Sequence, residues 1–490
     1  MTTQIDHALI EQVVWNFYRY VTFSHTWEGN EPLYDEVVKI AVHDLEASPT
    51  HNKLQMFCKV VRDEGFHWAW SDTCCINKVD YFVLQEALVC MFKWYEGSAM
   101  TIIFLFDVGQ LAEIGALMMS KWNSRGWTLQ EYHASKVVRI YTKDWTLYRG
   151  LAIYNYKESP EIISEMEKAT GISARALMAL RPGLNDIREK LRLASMRQTT
   201  RVEDAAYSLL GIFSMSLPVT YGDGDRALGQ LLSQLLTSSG DTSILAWTGK
   251  PGSFNSCLPT SIIVFNQPLT SYIPPAIADA EMEIITARLR ASSLDVNLAT
   301  RLYDRVDELP TPTFAGQRMR LPCLAFKLRL VSGRQDGSEY VFGAQAGAIG
   351  AVEVKTKQNL TRLGFLYLVH PWIGFLLDRQ VARSTVEVIA EEDTPSRLGS
   401  FSFPYLSGPS YPVGSESPST SPAMDAQTHV SEFLARLRQP FGALLLASNP
   451  RNTAEYKRVA AGNLITVQAE EITSATLDGL IHSVRVLDVL

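Results

Sequence analysis

The sequence predicts an α/β fold with a mainly parallel sheet over residues 1–150, a helical extension over 151–250 and a β-rich region over 251–490. Three observations predict it. Short apolar runs alternate with helical patterns over the first 150 residues, as in strand–helix–strand units. From about 158 to 240 the apolar residues recur at helical spacing, and from about 255 onward short runs with a period of two dominate.

The elements follow in order. Tyr18 to Phe23 reads as a strand ending at Ser24. Leu54 to Glu64 reads as a helix closed by Gly65, and His67 to Ser71 as a short aromatic strand. Asp80 can cap a helix running to Glu96, with Leu84, Ala87, Leu88, Met91, Phe92 and Tyr95 on one face and Gly97 as its stop. Met100 to Phe106 is continuously apolar, as expected of a strand buried on both faces. Val137 to Tyr141 is a further strand.

Downstream, Thr200 and Glu203 have capping-box spacing, and the helix they open would bury Val202, Ala206, Leu209 and Leu210 before ending near Gly211. Asp225 can cap a helix with Leu228, Leu231, Leu232, Leu235 and Leu236 inward. In the β-rich region, Leu324, Phe326, Leu328 and Leu330 alternate with Lys327 and Arg329. Val386 and Val388 repeat the pattern, as do Val484 and Val486. Residues 395–427 are rich in Ser and Pro and read as a flexible loop.

Composition narrows the function. With 490 residues, 46% of them hydrophobic, the chain can bury a large core without disulfides or metals. A net charge of -7 gives no basic field for nucleic acid. The longest apolar stretch, Gly364 to Leu377, is interrupted by His370 and Pro371 and is too short for a membrane span of ~20 residues. No secretory signal is legible at the N-terminus, and the six cysteines form no disulfide framework, so a reduced, cytoplasmic protein is expected.

Common catalytic signatures are absent. Thr248-Gly249-Lys250 lacks the upstream glycine of a phosphate loop, and the spacing of Gly222 and Gly224 does not continue into GxGxxG. Cys74-Cys75 lacks the spacing that lets two thiolates share a zinc ion, so no metal site is expected. Three clusters remain: Ser24-His25-Thr26-Trp27, Ser71 to Ile76, and Ser124 to Glu131. The first two follow predicted strands, and the carboxyl ends of parallel strands form the usual ligand crevice. Trp127 and Glu131, four apart, share a helix face. An aromatic plane beside a carboxylate suits a flat ring next to a developing cation, as in cleavage of an N-glycosidic bond.

At these residues the chain resembles the fungal HET (heterokaryon incompatibility) domain family. The matching segments are Ser24–Trp27, Trp70–Lys78 (WSDTCCINK), Met91–Tyr95 (MFKWY) and Ser124–Glu131 (SRGWTLQE). Arg197–Phe213 and Tyr221–Gly224 look like the region that follows such domains. The resemblance covers roughly residues 15–250. It implies a TIR-like fold, a role in fungal non-self recognition and regulated cell death, self-association through the HET domain, and a separate incompatibility partner of unknown identity. By analogy with TIR domains it further implies NAD as substrate rather than cofactor, with Glu131 as the catalytic residue and Ser24, His25, Trp27, Asp72, Arg125 and Trp127 binding substrate. Ser71, Asn123-Ser124 and Tyr132 to Ser135 depart from the family's pattern beside this site. A catalytic effector, a non-catalytic interaction module and an inactive paralogue all stay open.

Overall fold

The computed structural model describes residues 7–170, 173–267, 295–371, 441–450, 452–460, 465–467 and 473–490, with positions 284, 287 and 434. Its first sheet holds β1 (Tyr20–His25), β2 (Trp68–Ser71), β3 (Met100–Leu105) and β4 (Val138–Thr142). All pairs are parallel, in the order β2-β1-β3-β4. Each strand lies within two residues of its predicted position. Every residue of β3 is buried, because helices cover both faces of the sheet's centre.

The connecting helices form where local chemistry allows. Ser48 accepts from the His51 N–H at the start of Pro49–Asp63, and Gly65, at φ 85°, supplies the left-handed turn after it. Asp80 accepts from the N–H groups of Phe82 and Val83 and opens Tyr81–Gly97. That helix buries Ala87, Leu88, Met91, Phe92 and Tyr95, the face read from the sequence. A helix over His7–Tyr18 precedes β1, so Tyr18, read as strand, is helical. Phe17 packs its ring on His67 and Tyr18 stacks on Trp68.

Two of the predicted caps do not form. The helix after Glu203 is one turn, Asp204–Tyr207, with no side-chain cap. Val202 precedes it and is exposed rather than buried. Glu203 instead accepts from the amides of Gly222 and Gly224, at 2.8 and 3.0 Å. Those glycines, at φ 103° and 60°, turn two N–H groups toward one carboxylate. Asp225 likewise leaves its helix, Arg226–Ser239, uncapped and accepts from the Ser253 amide and hydroxyl. The five predicted leucines of that helix are all buried.

The second sheet holds nine strands: β5 (Thr313–Ala315), β6 (Arg318–Asp336), β7 (Glu339–Ala346), β8 (Ala351–Thr356), β9 (Leu366–Pro371), β10 (Phe441–Asn449), β11 (Asn452–Arg458), β12 (Ile465–Val467) and β13 (Val484–Val489). Among the described residues of this sheet only β11 and β13 pair in parallel. Hydrogen bonding runs from β6 through β9, β10, β11 and β13 back to β6, a closed circuit that protects these strands' edges. In β6, Leu324, Phe326 and Leu328 are buried while Lys327 and Arg329 are exposed, as the alternation predicts. Val386, Val388 and the Ser/Pro-rich stretch 395–427 lie outside the described residues. Among the described residues no helix is long and apolar enough to cross a membrane.

One apolar cluster links these parts. It contains Phe92 and Leu129 from the α/β region, Leu231 and Trp247 from the extension, and Leu321 and Leu446 from the second sheet. At the last junction the Arg458 guanidinium lies 3.7 Å from the Trp247 ring centroid and donates to the Leu245 carbonyl. Asn255 donates to the carbonyls of Gln317 and Val489, both at 2.8 Å.

Candidate functional site

In-register parallel pairing of Phe23 with Ser71 brings the ends of β1 and β2 together. β1 therefore delivers Ser24, His25, Thr26 and Trp27 beside Asp72. The helix Trp127–Ala134 approaches the same strand ends and presents Glu131. The Ser24 hydroxyl donates to Glu131 Oε2 and accepts from Trp122 Nε1 at 2.7 Å. Ser24, Trp122 and Glu131 are all buried. One turn on, Ser135 Oγ donates to the Glu131 carbonyl at 2.6 Å and is bonded to Thr101 of β3, which pins the helix to the sheet.

A second group forms around Asp72. Trp27 Nε1 donates to Asp72 Oδ2 at 3.0 Å, and His25 Nε2 stands 3.6 Å from Oδ1. The Lys78 ammonium lies 3.8 Å from the Trp27 ring centroid. The two carboxylates are driven apart in acidity. Burial, and then the negative charge of Asp72, raise Glu131 to about 8, against the pull of its Ser24 bond and of Arg125 and Arg197. Burial also acts to raise Asp72, but His25, Lys78 and Trp27 outweigh it and hold its carboxyl below the usual range. At neutral pH the site thus holds one ionised carboxylate and one carboxylic acid, the division of labour that acid–base centres use.

Beside this centre opens a cleft of about 670 Å³, walled by Thr26, Trp27, Glu28, Phe106, Lys121, Ser124, Arg125 and Gln198 to Thr200. One wall comes from the extension. The Gly126 amide donates to the Gln198 carbonyl at 2.8 Å, and the Gln198 amide donates to Ser124 at 2.6 Å. Gly126 is required there: a Cβ would sit 2.4 Å from Thr199 Cγ2. Arg197 ties the same turn, donating to the Arg125 carbonyl, Thr128 Oγ1 and Asn123 Oδ1.

Of the residues singled out from the sequence, Ser24 and Glu131 are bonded to each other. His25, Trp27 and Asp72 form the adjoining group, and Trp27 and Arg125 line the cleft. Trp127 shares the Glu131 helix but packs on the large apolar cluster, away from the Ser24–Glu131 pair. The indole at the Ser24 pair belongs to Trp122, which the sequence reading passed over; a second Trp just ahead of the Ser124–Glu131 motif was the available signal. Tyr95, whose hydroxyl donates to the Phe23 carbonyl at 2.8 Å and faces the charges of Glu131 and Asp72, was read only as core. Ser71 is accommodated inside the sheet by a 2.9 Å bond to Thr73. Among the described residues no group of three His, Cys, Asp or Glu side chains could hold a metal ion.

Residues 20–113 match the model of the heterokaryon incompatibility protein (HET) family. That span holds β1 to β3 with Ser24, His25, Trp27 and Asp72, and stops before the Glu131 helix. The chain is also 32% identical over 227 residues to the vegetative incompatibility protein HET-E-1 of Podospora anserina. That alignment covers 44% of this chain and 16% of the relative, so the chain spans well under a fifth of the relative's length. No solved structure matches the chain.

Proposed function

We propose that this chain is a heterokaryon-incompatibility-type effector of fungal non-self recognition and regulated cell death. In this reading its HET region is TIR-like, acts in the cytoplasm through self-association, and cleaves NAD at the nicotinamide–ribose bond. The HET match and the similarity to a vegetative incompatibility protein support the first statement. The buried Ser24–Glu131–Trp122 centre at the ends of β1 and β2, beside an open cleft, is the observation that carries the second.

The chemistry follows from the charges. The glycosidic C–N bond breaks with its electron pair going to the nicotinamide nitrogen, which leaves neutral, and water captures the ribosyl cation and releases a proton to solvent. Glu131 must be ionised to stabilise that cation. Free of ligand it holds a proton near neutral pH. The positive nicotinamide ring of NAD would supply the charge that favours the carboxylate, so substrate binding itself activates the group. Trp27, held by Asp72 and 41% exposed, is the indole placed to meet a flat ring.

The test uses the full chain incubated with NAD and chromatographic detection of free nicotinamide. Loss of a single stabilising group of this kind costs about 100- to 1,000-fold in rate, and Glu131→Ala is expected to do so here. Equal release by wild type and variant would remove Glu131 from the mechanism. A second reading, a HET interaction module without catalysis, is favoured by one observation: Glu131 is only 4% exposed and does not itself line the cleft. It predicts no nicotinamide release from either protein, with self-association unchanged by Glu131→Ala.

A further inference from the structure

We propose that Cys75 is a peroxide-reactive thiol and that Cys58 resolves it, the two closing a reversible disulfide between the loop after β2 and the helix Pro49–Asp63. The proposal stands apart from the NAD reading and does not depend on it.

Three of the six cysteines gather where that helix packs beside β2, the edge strand of the parallel sheet. The turn after β2 separates the two neighbours in the chain. The Cys75 amide donates to the Ser71 carbonyl at 2.9 Å, and the Ser71 amide donates to Cys75 Sγ at 3.4 Å. This reciprocal turn leaves Cys75 exposed and Cys74 buried. Cys74 joins the apolar cluster of Val21, Phe57 and Phe104, and Cys58 packs against the same cluster from the helix.

The acidities order the three thiols. The adjoining Cys74 thiol, and then the Ser71 amide, draw the Cys75 thiol below its usual range, against desolvation and the Asp72 charge. A sulfur that is exposed and shifted toward thiolate is the one that oxidants reach first. Cys74 is held high by Cys75 and by burial. Burial, and then the negative charge of Cys75, push the Cys58 thiol up to about 11. Cys58 thus lies within the field of Cys75, and oxidation of Cys75 removes one of the two causes that keep Cys58 protonated.

The Cys75 thiolate attacks one oxygen of hydrogen peroxide. The O–O bond breaks, its electron pair leaves on the second oxygen as hydroxide, and solvent protonates that to water. Cys75 is left as a sulfenic acid. Cys58 then attacks the Cys75 sulfur: the S–S bond forms, the S–O bond breaks, and the hydroxyl leaves as water with the Cys58 proton. Cys74 is the poorer partner for Cys75. Adjacent Cα atoms stand about 3.8 Å apart across a trans peptide, short of the roughly 4.4–6.8 Å that a disulfide spans without strain.

Peptide mapping of the full chain tests this. The reduced protein is treated with a small excess of hydrogen peroxide, with or without the sulfenic acid trap dimedone, and fragment spectra separate Cys74 from Cys75. Dimedone should label Cys75 about tenfold faster than any other cysteine, as its thiolate character requires. Without dimedone, a Cys58–Cys75 cross-link should form and be reversed by dithiothreitol. Cys58→Ser should abolish the cross-link and let labelled Cys75 accumulate, and Cys75→Ser should abolish both, each with an unchanged melting temperature. Labelling of Cys75 no faster than of Cys90, which lies outside the group, overturns the reactive site. A Cys74–Cys75 cross-link, or sulfenic acid on Cys75 that never reaches Cys58 in the wild type, overturns the role given to Cys58.

Discussion

The four-stranded sheet and the nine-stranded sheet are both filled with apolar side chains, yet they bury different polar groups. At the parallel sheet Thr22, Ser24, His25, Thr26, Ser71 and Thr101 are buried, and Glu131 lies over its strand ends. At the second sheet the buried polar side chains are hydroxyls such as Thr356 and Ser448, and Cys323, with the adjoining Cys257, has its thiol raised by burial into an inert form. The difference comes from topology. Parallel strands send their carboxyl ends to one side, so side chains from several loops meet there, whereas antiparallel strands scatter their ends to both sides. The first sheet accepts a buried, displaced carboxyl group, and the second is built for packing.

Four experiments break or sharpen that contrast. The largest effect is expected from Trp247→Ala, which removes a side chain only 2% exposed at the junction with the second sheet, together with its Arg458 contact. Such truncations cost about 3–5 kcal/mol, and urea unfolding should show the loss at every pH. A purely pH-dependent loss would contradict the packing role.

Glu131→Gln should behave in the opposite way. The folded-state pKa of Glu131 is raised to about 8, so the unfolded chain releases its proton at lower pH than the folded one. Wild-type stability is therefore full below the unfolded value and falls as pH rises toward about 8. The Gln variant lacks this fall and should gain on the wild type across that window, by an amount on the order of a few kcal/mol. Parallel stability–pH curves for the two proteins would refute the raised value.

A smaller effect is expected where the α/β region meets the extension. A Cβ at position 211 would stand 2.2 Å from Phe92 Cβ, which has no flexible end to move aside. Gly211→Ala should cost about 1–3 kcal/mol by overpacking, and an unchanged melting temperature would show that the two parts are not tightly docked. The smallest effect belongs to Asp72→Asn. Removing that negative charge should move the Glu131 titration downward, shifting the upper end of the pH window toward acid. A window left in place would mean that burial alone sets it.

Much of the first sheet was legible because its signals are local. Asp80 caps where it was expected to, Met100 to Leu105 is buried throughout, and Gly65 ends its helix. The caps at Glu203 and Asp225 failed because residues distant in sequence, Gly222, Gly224 and Ser253, offered those carboxylates better donors. Trp127 and Trp122 trade places for a similar reason. Helical spacing shows which residues share a face with Glu131, but only packing decides which indole reaches Ser24.

The sequence alone determined the order of strands and helices, the alternation that builds β6, and the presence of Ser24, Asp72 and Glu131 at strand ends and on the following helix. Periodicity and capping are properties of neighbouring residues. Tertiary structure decided that Ser24 bonds to Glu131, that Asp72 is ionised while Glu131 keeps its proton, and that Gln198 to Thr200 wall the cleft. Burial and charge coupling act between groups far apart along the chain, and only the folded arrangement sets their distances.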